Sequence, residues 1–161
     1  MSRKPTGHVR GNDLILTRTF HAPLDDVWPS VTASESTARW IGPWEGDAGP
    51  GKTVRLQMVH ETGQPWMNVT IEICEPPRRL VVTTKDDFGA WRLELTLTQT
   101  ADTTELRFVH HLDDRKLAGD AGPGWEYYLD MLVAAREQRP LPAFDEYYPA
   151  QKAHYLKASE D

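Results

Sequence analysis

Asp13 to Pro43 reads DLILTRTFHAPLDDVWPSVTASESTARWIGP, and the architecture of the chain hangs on the change of period inside it. Leu14, Leu16, Arg18 and Phe20 share one parity, the signature of a strand with a buried face. Ala22-Pro23 breaks that strand. Leu24, Val27, Trp28 and Val31 then fall at helical spacing, with Pro29 keeping the helix short or bent. A second short helix is expected over Ser34 to Ile41, with Ser34 as its N-cap.

On the N-terminal side, residues 1–12 are polar, carry Pro5, Gly7 and Gly11, and are expected to form a loose lead-in. On the C-terminal side, a loop over Gly42 to Lys52 leads into five runs of strand character: TVRLQMVHE, WMNVTIEICE, RRLVVTTKD, AWRLELTLTQ and TELRFVHHL. The turns between them, among them Asp86 to Gly89, are too short for a parallel crossover, so neighbours are antiparallel. Gly119 to Gly124 reads as a further loop. A helix is expected from Trp125 to Glu137, ended by Arg139-Pro140-Leu141-Pro142, and an aromatic, charged tail closes the chain. The expected fold is α+β: a curved antiparallel sheet of about six strands around a long C-terminal helix.

The 161 residues fit one domain of ordinary size, with 39% apolar and 26% charged residues. A net charge of −6 without a basic block argues against nucleic acid as partner. Cys74 is the single cysteine, so no internal disulfide forms. No apolar run is long enough to span a membrane, and the N-terminus lacks the apolar core of a signal peptide. A cytoplasmic location with no membrane partner is the expectation.

The ordered motifs Arg18-Thr19-Phe20, Ala22-Pro23, Val27-Trp28, Arg39-Trp40, Gly42-Pro43 and Gly124-Trp125, with Leu129 and Leu132 later, resemble a known family. It is the START-like (SRPBCC), helix-grip superfamily, in the branch named after the activator of heat-shock protein 90 ATPase. The resemblance covers about residues 13 to 138 and leaves 139–161 as a tail docked on the domain or on a partner subunit. It implies a pocket between sheet and helix for an apolar, aromatic or lipid-like small molecule. It does not imply a reaction, since the superfamily includes carriers, cyclases and co-chaperone domains.

Several motifs carry less than they promise. Gly46 to Thr53 (GDAGPGKT) satisfies the letters of a phosphate-binding loop, but a strand rather than a helix follows it, and Pro50 lacks an amide donor. The six residues GDAGPG recur at Gly119 to Gly124 with unrelated flanks, so they are no fold repeat. His110 and His111 are adjacent on a strand and point to opposite faces, so no metal site or other cofactor is expected.

Parity nominates the pocket lining. Leu106, Phe108, His110 and Leu112 share one face; Val54, Leu56, Met58 and His60 another; Trp91, Leu93, Leu95 and Leu97 a third; Arg18 follows Leu14 and Leu16 inward. The ligand-binding candidates are therefore Arg18, Trp40, Trp44, Met58, His60, Trp91, Phe108, His110, Trp125, Tyr128, Leu129 and Leu132. An inward Arg and two inward His suggest a cationic clamp with an acid or base. The plainer reading has Arg18 paired with Glu126 or Asp130, each His bonded to backbone, and the Trp rings filling the core. Three functions follow: an apolar-ligand binder, monomeric or homodimeric; a polyketide cyclase or dehydratase using His60 or His110; or a co-chaperone-like interaction module.

Overall fold

The computed structural model describes residues 3–86 and 89–158. The chain runs β1 (His8–Arg10), β2 (Asp13–Phe20), α1 (Leu24–Thr32), α2 (Ser34–Thr37), β3 (Trp44–Glu45), β4 (Thr53–Gln57) and β5 (Trp66–Glu75). It continues through β6 (Arg79–Asp86), β7 (Gly89–Thr100), β8 (Thr103–His111), α3 (Ala118–Glu137) and α4 (Lys152–Ala158). One curved, unclosed antiparallel sheet has the order β1-β2-β8-β7-β6-β5-β4-β3, and α3 lies against it. The helix-grip expectation holds, with eight strands rather than about six.

The two added strands are short edges. Residues 8–10 pair with β2, so the lead-in expected to be loose is structured where it is described. Trp44 and Glu45 pair with β4. Residues 1–2 of that lead-in, Asp87 and Phe88 of the expected Asp86–Gly89 turn, and tail residues 159–161 lie outside the described residues.

Register carries the parity argument across the sheet. His110 sits between Leu14 and Leu93, Phe108 between Leu16 and Leu95, and Leu106 between Arg18 and Leu97. These side chains share the concave face, which meets Val27 and Val31 from α1 and Trp125, Leu129 and Leu132 from α3 in one core. Each large apolar side chain fully buried there contributes about 1.5–3 kcal/mol. His111 faces the convex side, between Asp13 (2.7 Å) and Glu94 (3.2 Å).

Two helix boundaries differ from expectation. The stretch Gly119 to Gly124 is not a loop but the first turns of α3. Tertiary packing outweighs the poor helix propensity of Gly and Pro here. A Cβ on Gly122 would lie 2.4 Å from Tyr155 ring atoms, so the missing side chain is the slot into which α4 docks. The second difference is α2, which ends at Thr37 and is capped at Ala33. Ser34 instead accepts from the Trp44 amide (2.9 Å) and donates to the Trp44 carbonyl (2.8 Å), fastening the loop before β4 to the helix.

The phosphate-loop lookalike is an entry turn to β4. Gly51, whose amide such a loop would offer to phosphate, donates it to the Ile71 carbonyl at 2.6 Å.

Candidate functional site

The concave face divides into a covered half and an open half. Over β2 and β8, helix α3 buries Leu14, Leu16, Leu106, Phe108 and His110. Over β4 to β7, the apolar side chains Leu56, Met67, Trp91, Leu93 and Leu95 pack against the core yet stay half-buried. Val69, Leu80 and Val82 on β5 and β6 are half-buried too, and register puts them on the same face. A sheet this curved reaches beyond a single helix. The result is a half-covered apolar strip, a shallow trough at most, beside α3.

An aromatic ridge bounds the trough on the α3 side. Trp91 stacks on His110 with centroids 4.7 Å apart, and Phe108 tilts against Trp125 at 4.6 Å. Trp125 donates its indole N–H to His110 Nδ1 at 3.2 Å. Since an indole nitrogen only donates, Nδ1 must be unprotonated, and the ring is held as the neutral tautomer with its proton on Nε2. Tyr128, one turn along α3, donates its hydroxyl to Glu61 at 2.9 Å, tying the turn between β4 and β5 to the helix. Burial first, and the Glu61 carboxylate second, push the Tyr128 phenol well above its ordinary range.

The twelve predicted contact residues scatter accordingly. Trp91, Phe108, His110, Trp125 and Tyr128 form the ridge. Leu129 and Leu132 are buried core beneath it, and Met58 is buried under the turn after β4. Trp40 is buried and donates to the Ser30 carbonyl (2.9 Å), beside a cavity of about 40 Å³ that also touches Leu132 and Arg136. Trp44 is half-buried and donates to the Thr32 carbonyl (2.8 Å), which makes it a brace for the loop. His60 does not point inward: β4 ends at Gln57, the chain turns back, and the residue is exposed. Partial burial still lowers its imidazole pKa from the ordinary value.

Arg18 does face the helix, and its charge is taken. It donates to Glu126 and Asp130, both at 3.0 Å, with its side chain 10% exposed and that of Glu126 1% exposed. Thr6 and Tyr155 also converge on Glu126. Burial alone would raise the Glu126 pKa; hydrogen bonds from Thr6, Tyr155 and Arg18 outweigh it and hold the carboxyl below its usual value. Arg18 is thus the centre of a structural clasp rather than a cation offered to a ligand.

Leu56, Met67, Leu93 and Leu95 line the trough without having been nominated as contacts, although the alternation in the strand sequences carries their signal. Nothing local marks Glu61, because its partner lies far along the chain. Among the described residues no cluster of metal-ligating side chains is found, and no helix is long and apolar enough to cross a membrane.

A family model described as activator of Hsp90 ATPase homolog 1-like protein matches residues 21–137. The crystal structure of CalU16 from Micromonospora echinospora is 25% identical, with a TM-score of 0.79 over 92% of this chain and 89% of that one. A Bordetella parapertussis protein solved by NMR is 21% identical, with a TM-score of 0.75 over 98% of this chain and 91% of that one. DynU16, a protein in the dynemicin biosynthetic locus, shares the fold at 20% identity and a TM-score of 0.70, over 87% of this chain and 51% of that one. No curated protein matches the sequence.

Proposed function

Because the chain belongs to the activator of Hsp90 ATPase homolog 1-like family, we propose that it binds a neutral, apolar small molecule along the open half of its concave face. The observation that carries this reading is the row of half-buried apolar side chains on β4 to β7, Leu56, Met67, Trp91, Leu93 and Leu95. Apolar side chains left half-covered beside a stacked aromatic pair favour a ligand that completes their burial. The ligand is neutral because the inward cation, Arg18, is already neutralised by Glu126 and Asp130. A carboxylate entering the trough would lose its hydration without gaining a counter-ion.

The two histidines of the enzyme reading do not offer a free acid or base to the trough. His60 sits in an exposed turn, and His110 is sandwiched by Trp91 with its Nδ1 already accepting from Trp125.

Nile red, a neutral apolar dye, tests the proposal. It is expected to bind at a single site and to be displaced by dodecanol at least as well as by dodecanoate. Leu95→Glu places a charge in the trough and is expected to weaken dye binding by about tenfold or more. The variant's circular dichroism should match the parent, since Leu95 is half-buried. Absence of dye binding, or a tenfold preference for dodecanoate, overturns the reading.

A further inference from the structure

The trough is bridged at one end. Its sheet wall includes Leu56 on β4 and Met67 on β5, which stand directly opposite each other in the antiparallel pair. Both strands stop one residue beyond that pair, at Gln57 and Trp66, and residues 58–65 turn the chain round. From this turn Glu61 reaches α3, where its carboxylate accepts the Tyr128 hydroxyl at 2.9 Å. Tyr128 belongs to the aromatic ridge on the other side of the trough, its ring 5.9 Å from that of Trp125 between centroids. A turn that leaves one wall and is bonded to the other spans the gap between them.

The turn keeps its own shape. The Met58 amide donates to the Pro65 carbonyl (2.8 Å), the Glu61 amide to Met58 (3.1 Å) and the Gln64 amide to Glu61 (2.9 Å). The Gln57 side chain adds a bond to the Gln64 carbonyl at 3.3 Å. The root is fixed as well: Met58 is buried in the core, and the Gln57 amide donates to the Pro43 carbonyl at 3.0 Å. The tip is held far more lightly. Residues 60–64 (HETGQ) are polar and exposed, so no apolar burial seats them. Among the described residues, Glu61 to Tyr128 is the one hydrogen bond that joins 59–64 to anything outside the β4–β5 hairpin. A preformed turn with an anchored root and a single polar tether opens by breaking one bond rather than many.

We propose that this turn is a flap over the end of the trough and that the Tyr128–Glu61 bond is its latch. The proposal rests on the apolar-ligand reading above and adds how that site is entered. With the latch closed, the turn bars the gap between the hairpin and α3; with it open, that end is clear. The bond suits the task. A phenol-to-carboxylate hydrogen bond is charge-assisted, yet Glu61 is exposed, so water replaces the lost partner at modest cost. Entry and exit share the gate, and loosening it speeds both while leaving the ligand's apolar contacts in place.

Stopped-flow binding of Nile red to the full chain reads the gate. Glu61→Ala and Tyr128→Phe delete the latch from its two sides; Glu61 is exposed, and a Phe ring keeps the packing of Tyr128, so both variants should fold. Association and dissociation rates are expected to rise about tenfold in each, the loss of one charge-assisted hydrogen bond. In Glu61→Ala the affinity, the ratio of the two rates, should change far less than either rate. The double variant should match the single ones, because there is only one bond to lose. Rates unchanged in either single variant, or additive effects in the double, overturn the latch. A second measurement needs no dye: methyl relaxation dispersion at Met58 and Met67, which flank the turn, is expected to show more exchange in ligand-free Glu61→Ala than in the parent. Failure of the parent to bind dye removes the apolar-ligand reading and leaves the latch to this measurement, where unchanged exchange overturns it.

Discussion

Glu126→Ala is expected to destabilise the protein by about 3 kcal/mol, the cost of breaking a buried ion pair and leaving the donors around it unsatisfied. For a chain of this size that lowers Tm by roughly 10 °C. The carboxylate accepts from the Thr6 amide and hydroxyl, the Gly7 amide, the Tyr155 hydroxyl and Arg18. Truncation strands the Thr6 amide and the Tyr155 hydroxyl, leaves Arg18 with Asp130 as its remaining carboxylate, and frees the N-terminal segment and the tail together. Glu126→Gln keeps the shape and removes the charge. It is expected to cost less, since an amide oxygen still accepts.

The same group predicts an acid limb. Its pKa in the folded protein lies below the ordinary value of 4.5. A depressed carboxyl contributes stability that is complete above the unfolded pKa and is lost as pH falls through the folded pKa. The urea midpoint of the parent should therefore fall as pH drops below about 4.5, and Glu126→Gln should show a shallower fall over the same range. A parent and variant that lose stability in parallel would remove Glu126 as the source.

Gly122→Val is expected to expel α4. The new Cβ would stand 2.4 Å from Cγ and Cδ2 of Tyr155 and 2.7 Å from Cδ1, well inside contact distance. Tyr155 is fully buried, held between this position and Gly7, whose amide also reaches the Tyr155 hydroxyl at 3.2 Å. The ring cannot shift without breaking its bond to Glu126. Loss of its burial, together with crowding, is expected to cost about 3 kcal/mol. Hydrogen exchange should show α4 amides losing protection while the sheet keeps its own, and trypsin should cut at Lys152 in the variant before it does so in the parent. An α4 that stays protected would mean that the slot relaxes elsewhere.

Much of this organisation is legible in the residues. The alternation of Leu14, Leu16, Arg18 and Phe20, and the inner rows ending in His110 and Leu97, agree with the observed register because a pleated strand admits one periodicity. His60 shows the limit: parity holds only while the strand lasts, and β4 turns away after Gln57 to meet Pro65, whose carbonyl takes the Met58 amide at 2.8 Å. The glycines of α3 mislead for a related reason. Their local preference is for turns, and the helix exists because Tyr155, more than thirty residues on, packs where a side chain would have been.

By itself the sequence determined the order of strands and helices, the antiparallel meander and most of the inner rows, since these follow from short-range periodicity and turn length. Only the tertiary structure decided what those inward residues do. Arg18 meets Glu126 and Asp130 across the core and is spent there, and His110 accepts from Trp125. The reason is physical: charge and hydrogen bonding are satisfied between groups distant in the chain, and no local period encodes which of them meet.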